Sequence, residues 1–191
     1  VFHGDIGCYS LLKYKPFDRL MHNLSGMGLG GGTGAGIDPF IENKQLVFMG
    51  DSTFFHSGMA AISDSIKHRQ DITYVILDNK TTAMTGHQPT PGVETDIMGR
   101  PTFAQNIEEV GRGMAGSGEY GPSAIVRMNP ADRERYREMV EDTVLKDGVK
   151  IIIADKECGI TYHRRKRSEQ RAVEQATGFI PEETHINITP E

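Results

Sequence analysis

Cysteine is scarce in this chain: Cys8 and Cys158 are the only two, and they lie far apart. That scarcity argues against a disulfide framework and for a cytoplasmic setting. With no further ligands at metal-binding spacing beside them, the two cysteines cannot hold an iron–sulfur cluster or a structural zinc within this segment. Long apolar runs are missing too. The longest, such as residues 149–154, are far too short to span a bilayer. Positive charge is not in excess, since 21 Lys and Arg against 26 Asp and Glu leave a net charge of −5. There is thus no general electrostatic reason to bind nucleic acid or an anionic membrane. No internal repeat, low-complexity tract, signal peptide or transit sequence is visible. What is there, 191 residues of which 37% are apolar and 25% charged, suits one soluble domain with a tail. The chain opens with Val1 rather than Met and reads as a piece of a longer polypeptide.

Strand-like apolar runs at 46–49, 72–77, 123–128 and 149–154 alternate with helical patterns at 54–68, at 103–114, and from Pro130 or Asp132 to Lys146. This order predicts an α/β fold with a doubly wound, mostly parallel sheet and helices on both faces. Thr102 reads as the N-cap of the second helix, and Gly116 and Gly118 as its stop. Residues 13–24 follow no clear pattern, and residues 21–25 hold no convincing strand. Residues 80–101, rich in Thr, Gly and Pro without a period, read as a functional loop. After Cys158 comes the basic run His163-Arg164-Arg165-Lys166-Arg167, then a short helix-like stretch and a Pro/Glu/Thr-rich end. The basic run reads as a solvated linker face, with an acidic partner or phosphate as the alternative contact. The expected organisation is one domain over residues 1–158, lacking its N-terminal part, and a basic linker or tail over 159–191.

Seven glycines crowd residues 26–36, a density that implies backbone packed closely against a helix, a sheet or a ligand. Gly26-Met27-Gly28-Leu29-Gly30-Gly31 fits G-x-G-x-x-G, and Asp51 follows about 20 residues on, which imitates a dinucleotide fingerprint. The context fails, because no convincing strand precedes the glycines and Ser-Thr and a helix follow the acid. A non-catalytic dinucleotide- or nucleotide-binding module is the alternative from outside the enzymes.

Gly50-Asp51-Ser52-Thr53 follows one apolar run, and Asp78-Asn79-Lys80-Thr81-Thr82-Ala83-Met84-Thr85-Gly86-His87-Gln88 follows the next. Both clusters therefore emerge at carboxyl ends of strands, where open α/β sheets bind ligands. Asp51 offers a hard carboxylate, Asn79 an amide oxygen, and the turn after Asn79 a backbone carbonyl. Three such oxygens suit Mg²⁺ or Ca²⁺ holding a diphosphate, and the helix near Phe54 adds amide donors for phosphate. Asp51 alone would read as an ordinary helix N-cap; its pairing with Asn79 favours the anchor.

Gly50-Asp51-Ser52 followed at this distance by Asn79 resembles the thiamine-diphosphate motif. Together with Gly4-Asp5-Ile6-Gly7-Cys8-Tyr9-Ser10, with Gly50 to Gly58, and with Leu77 to Gln88, it is similar to the 2-oxoacid:ferredoxin oxidoreductases of the indolepyruvate ferredoxin oxidoreductase (alpha-subunit) type. Residues 151–158 weakly resemble the last strand of the same domain. The resemblance implies Mg²⁺ ligation by Asp51, the Asn79 side chain and the Thr81 carbonyl, with Gly50, Ser52 and Thr53 at the diphosphate. It places Gly7 and Cys8 beside the reactive ring, and Met27 and Gly28 on the aminopyrimidine side. Thr82, Met84, Thr85, Gly86, His87 and Gln88 fall in the loop near diphosphate and substrate. Cys8 and His87 are the candidate catalytic residues it implies, although Cys8 also reads as a small packing residue. For Cys158 and the other histidines, packing is the reading.

The implied activity is thiamine-diphosphate-dependent oxidative decarboxylation of a 2-oxo acid, an aryl pyruvate such as indolepyruvate, to an acyl-CoA, with electrons passed to ferredoxin. A non-oxidative thiamine decarboxylase or carboligase is the alternative among enzymes. Implied partners are a pyrimidine-binding domain supplying the catalytic glutamate, a second oxidoreductase subunit, ferredoxin, coenzyme A and the 2-oxo acid, in an oligomer. Iron–sulfur clusters belong to the complete enzyme and not to this segment. Residues 95–112 and the basic tail match none of these motifs.

Overall fold

The computed structural model describes residues 1–114 and 120–179. Its centre is built from the two most apolar runs, β4 (Ile72–Asp78) and β6 (Lys150–Asp155). Nearly every residue of both is buried, as expected of central parallel strands covered on both faces. The strand β3 (Gln45–Gly50) alternates instead, with Gln45, Val47 and Met49 buried and the residues between them half-buried. With β1 (Phe2–Gly4), β2 (Asn23–Leu24) and β5 (Ala124–Met128) they form one sheet in the order β2-β1-β3-β4-β6-β5, every pair parallel. The α/β class and the parallel sheet are those the sequence predicts.

Register aligns Val47, Tyr74 and Ile151 across β3, β4 and β6. On the same face lie Met49, Ile72, Ile76 and Ile153, and burying each large apolar side chain contributes roughly 1.5–3 kcal/mol. The helices α1 (Gly30–Ile37), α3 (Met59–Lys67) and α4 (Ile107–Gly113) add Ala35, Ile62 and Ile107 to that core. Val75 and Ile152, paired with each other and pointing the opposite way, are buried as well. The helix α5 (Arg133–Val144) packs on β6.

The glycine run forms α1, although each glycine costs about 1 kcal/mol against alanine in a helix. Close approach offsets this. A Cβ on Gly30 would meet the Gly4 backbone at 3.0 Å, one on Gly31 the Ala61 Cβ at 2.6 Å, and one on Gly34 the Val47 side chain at 3.0 Å. The glycines thus pack against a sheet and a helix.

Residues 21–25 do contain a strand, contrary to expectation. Two residues are too few to show a period, and β2 is set by its neighbours: the Phe2 amide donates to His22 Nδ1, and the two rings stack 5.6 Å apart. The helix after β3 begins at Asp51 rather than Phe54, running from α2 (Asp51–Thr53) through a π-helical turn, Phe54–Gly58, into α3. Such π turns are frequent at functional sites. The helix expected from Phe103 starts at Ile107, because Asn106 and not Thr102 is its N-cap. Asn106 Oδ1 accepts from the amides of Glu108 and Glu109 at 2.9 and 3.5 Å, whereas the Thr102 amide donates to the Glu94 carbonyl. Gly116 and Gly118 lie outside the described residues, and α4 itself closes at Gly113.

The chain divides into two compact units, Val1–Lys156 and Glu157–Glu191. In the second, α6 (Gly159–Thr177) ends on Gly178 in the left-handed conformation. The basic run expected as linker is therefore helical and 19 residues of continuous helix carry it, none of them buried. Arg165 pairs with Glu157 and Glu169, and Lys166 with Glu169. The Pro/Glu/Thr-rich end lies outside the described residues. No described helix is long and apolar enough to cross a membrane.

Candidate functional site

From β1 the chain passes to β2 on one side and then returns through α1 to β3 on the other. A topological switch of this kind opens a crevice at the carboxyl ends of the strands. Here the turns after β1, β2, β3 and β4 line one cleft, about 560 Å³ of empty space counting its open mouth. The β1 turn contributes Ile6, Gly7, Cys8 and Tyr9, and the β2 turn Met27. From β3 come Gly50, Asp51, Ser52 and Thr53, and from β4 Leu77, Asn79, Thr81, Thr82, Ala83, Met84 and Thr85.

Four sequence-predicted residues, Gly28, Gly86, His87 and Gln88, are not among those lining it. Gly28 lies behind the wall at φ +84, where a Cβ would meet Ser57 Oγ at 1.8 Å. His87 sits in the β4 loop at φ +67, its amide donating to the Thr82 carbonyl at 3.0 Å.

The β3–β4 side of the cleft is polar. Asp51 is 1% exposed at the head of α2. Burial pushes its carboxyl up to about 6, opposed by the Ser52 amide, reinforced by Asp78, and opposed again by Lys80 and Thr90. The Thr90 hydroxyl is a long 3.4 Å from Asp51 Oδ2. Lys80 is engaged elsewhere, with Asp78 at 2.5 Å and Asp155 at 3.3 Å. Asn79 Oδ1 accepts from the Thr81 amide at 3.1 Å, an Asx turn across Lys80 at φ +64. That oxygen keeps a second lone pair. The Thr82 hydroxyl donates to Ser52 Oγ at 3.0 Å and joins the two turns, while an antiparallel bridge of Thr82 with Gln88 closes the loop.

These donors fit a hard divalent cation shared with a diphosphate: one carboxylate, one amide oxygen and one backbone carbonyl, the phosphate oxygens completing the shell. No group of three His, Cys, Asp or Glu converges among the described residues. Gly50 marks room for the diphosphate, since a Cβ there would meet nothing within 4 Å.

Residues 5–154 match the family described as thiamine pyrophosphate enzyme, C-terminal TPP binding domain. The chain belongs to that family. It is 35% identical over 158 residues to indolepyruvate oxidoreductase subunit IorA of Methanothermobacter marburgensis, covering 83% of this chain and 24% of that protein. To the protein of the same name from Archaeoglobus fulgidus it is 34% identical over 170 residues, covering 89% and 26%. The chain thus spans about a quarter of the length of these curated relatives. Among solved structures, the 2-oxoglutarate:ferredoxin oxidoreductase of Magnetococcus marinus shares the fold at a TM-score of 0.67 and 17% identity, covering 82% of this chain and 54% of that one.

Thiamine diphosphate is therefore the cofactor of this family, and the glycine run of this thiamine pyrophosphate enzyme domain serves packing rather than a dinucleotide. Sequence reasoning missed three residues of the site. Asp5 and Tyr9 stand within the quoted first motif, but nothing in it says that the Tyr9 hydroxyl donates to Asp5 Oδ1 or the Gly28 amide to Asp5 Oδ2 at 2.8 Å. Burial pushes Asp5 up to about 6, opposed by the Gly28 amide. A charged residue directly after a strand is the one signal that could have flagged it. Thr90, buried beside Asp51, carries no such signal.

Proposed function

We propose that this chain is the Mg²⁺- and diphosphate-holding portion of a thiamine-diphosphate-dependent 2-oxo acid:ferredoxin oxidoreductase. One observation carries the reading: Asp51, Asn79 and Thr81 converge on a single cleft at the switch point, facing a wall of Ile6, Tyr9 and Met27. The Asp51 carboxylate, Asn79 Oδ1 and the Thr81 carbonyl hold Mg²⁺. Gly50, Ser52 and Thr53 bind the diphosphate at the head of α2, where the positive end of the helix dipole favours anions. Gly7, Cys8 and Met27 bound the ring side, and Gly28 sets the turn that carries Met27. Thr82, Met84, Thr85 and His87 belong to the loop over diphosphate and substrate.

Bound thiamine diphosphate supplies a carbon nucleophile and an electron sink for decarboxylation. The chain's own share is to fix the diphosphate through the cation it holds, orient it and exclude water from the apolar wall. The names of the relatives and that wall support an aryl pyruvate such as indolepyruvate as substrate. The solved 2-oxoglutarate:ferredoxin oxidoreductase, which holds coenzyme A and succinyl-CoA, supports an acyl-CoA as product and ferredoxin as acceptor. A pyrimidine-binding domain with its glutamate, a second subunit and the iron–sulfur clusters come from outside this segment, whose two cysteines are free thiols.

Asp51→Ala in the complete enzyme is expected to raise the Kd for thiamine diphosphate in Mg²⁺ at least about 100-fold, by calorimetric titration. Retained Mg²⁺-dependent affinity would overturn the assignment.

A further inference from the structure

We propose that Asp5 is a positioning residue for the ring end of the cofactor, acting through Tyr9 and Met27 without touching the cofactor itself. The proposal rests on the reading of the cleft as a thiamine diphosphate site. Sheet order separates the cleft into two sides: the turns after β3 and β4 bring the polar groups suited to a diphosphate, and those after β1 and β2 bring the apolar wall suited to rings.

Asp5 is the buried tie between the two turns of that wall. It is 0% exposed, one residue beyond the end of β1, and is not among the residues lining the cleft. One carboxylate oxygen accepts from the Tyr9 hydroxyl and the other from the Gly28 amide at 2.8 Å. Two donors from different turns thus converge on an acceptor-only group, which takes both without choosing an orientation.

Each tethered turn is held from a second direction. The Tyr9 ring lies over Gly7, where a Cβ would meet it at 2.3 Å, and Gly28 is pressed against Ser57. Tyr9 and Met27, which Asp5 controls through these bonds, both reach the cleft. A buried carboxylate is costly, and burial raises its pKa to about 6. Mere packing would not require a charge at this place.

The test compares two ligands on the complete enzyme with Mg²⁺: thiamine diphosphate, which needs both sides of the cleft, and inorganic diphosphate, which needs only the polar side. Asp5→Ala is expected to raise the Kd of the first about tenfold and to leave the second within about twofold, as loss of two hydrogen bonds implies. Tyr9→Phe removes one tether and is expected to give about a threefold, equally selective loss. Asp5→Asn, whose amide can donate to the Tyr9 oxygen while its carbonyl accepts from Gly28, is expected to keep thiamine diphosphate affinity within about twofold of wild type. Should Asp5→Ala fail to fold, the Tyr9→Phe and Asp5→Asn pair carries the test alone. Equal weakening of both ligands, or no weakening of either, overturns the positioning role. Wild-type enzyme that binds neither ligand overturns the cofactor reading beneath it instead.

Discussion

Asp51 works against the fold that holds it. Burial pushes its carboxyl up to about 6 from the ordinary 3.8. A raised carboxylate pKa means that the folded state binds the proton more tightly. Protonation therefore favours the fold below about pH 4, that advantage fades between about 4 and 6, and above 6 the ionised group costs on the order of 3 kcal/mol. Asp51→Asn keeps the shape and removes the charge, so it is expected to raise Tm at pH 7.5 and barely change it at pH 4. Thermal unfolding at the two pH values checks this; an equal gain at both would rule out burial of the charge as the cause. Asp5 titrates in the same range, so the Asp51 share is read as the difference between wild type and variant. Asp51, Asn79 and Thr81 were legible in sequence because each sits beside the end of an apolar run. The contacts of Asp5 with Gly28 and of Thr90 with Asp51 were not, since they join residues 23 and 39 positions apart, a distance no local pattern spans.

Among the elements, α1 shows how packing overrides propensity. Gly31 and Gly32 are neighbours in the same helix, yet a Cβ on Gly31 would meet Ala61 at 2.6 Å and one on Gly32 would meet nothing within 4 Å. Gly31→Ala is expected to destabilise by about 1–3 kcal/mol through overpacking. Gly32→Ala is expected to stabilise by about 0.5–1 kcal/mol through helix propensity alone. Urea unfolding of the two variants reads the contrast, and the same sign for both would refute close approach as the reason for the run. The strands β4 and β6 were legible because a fully buried strand needs nothing but an apolar run. The helix α1 was not, because its stability lies in residues distant in sequence, and β2 was not, because two residues have no period. The start of α4 was open to a better reading, since Asn106 followed three residues later by Glu109 is itself a helix-start pattern.

On the scale of the whole molecule, the half of the sheet that does not line the cleft buttresses the half that does. Arg127 on the edge strand β5 reaches Asp155 of β6 at 2.7 Å and the buried Asp78 of β4 at 2.9 Å, while Lys80 holds both carboxylates from the other side. In the chain Lys80 lies between the cleft residues Asn79 and Thr81, and Asp78 directly precedes Asn79, so the network fixes the turn that carries the amide and carbonyl donors. Arg127→Met leaves Asp78 short of one cation and is expected to cost on the order of 2 kcal/mol in stability. It is also expected to weaken thiamine diphosphate binding several-fold in the complete enzyme, read by denaturant melts and calorimetry; unchanged affinity would confine the network to stability. Alternation of strands and helices made the class legible, but not this lateral order, because β5 follows β4 in sequence and lies beyond β6 in space. The open space at Gly50 reaches beyond the fold altogether. Gly50 lines the cleft and an added methyl there would touch no protein atom, so it would intrude on a guest and not on the fold, and Gly50→Ala should pass a selection for cellular abundance and fail one for activity. A mutational scan scored on abundance alone would mark the floor of the cleft as free to vary.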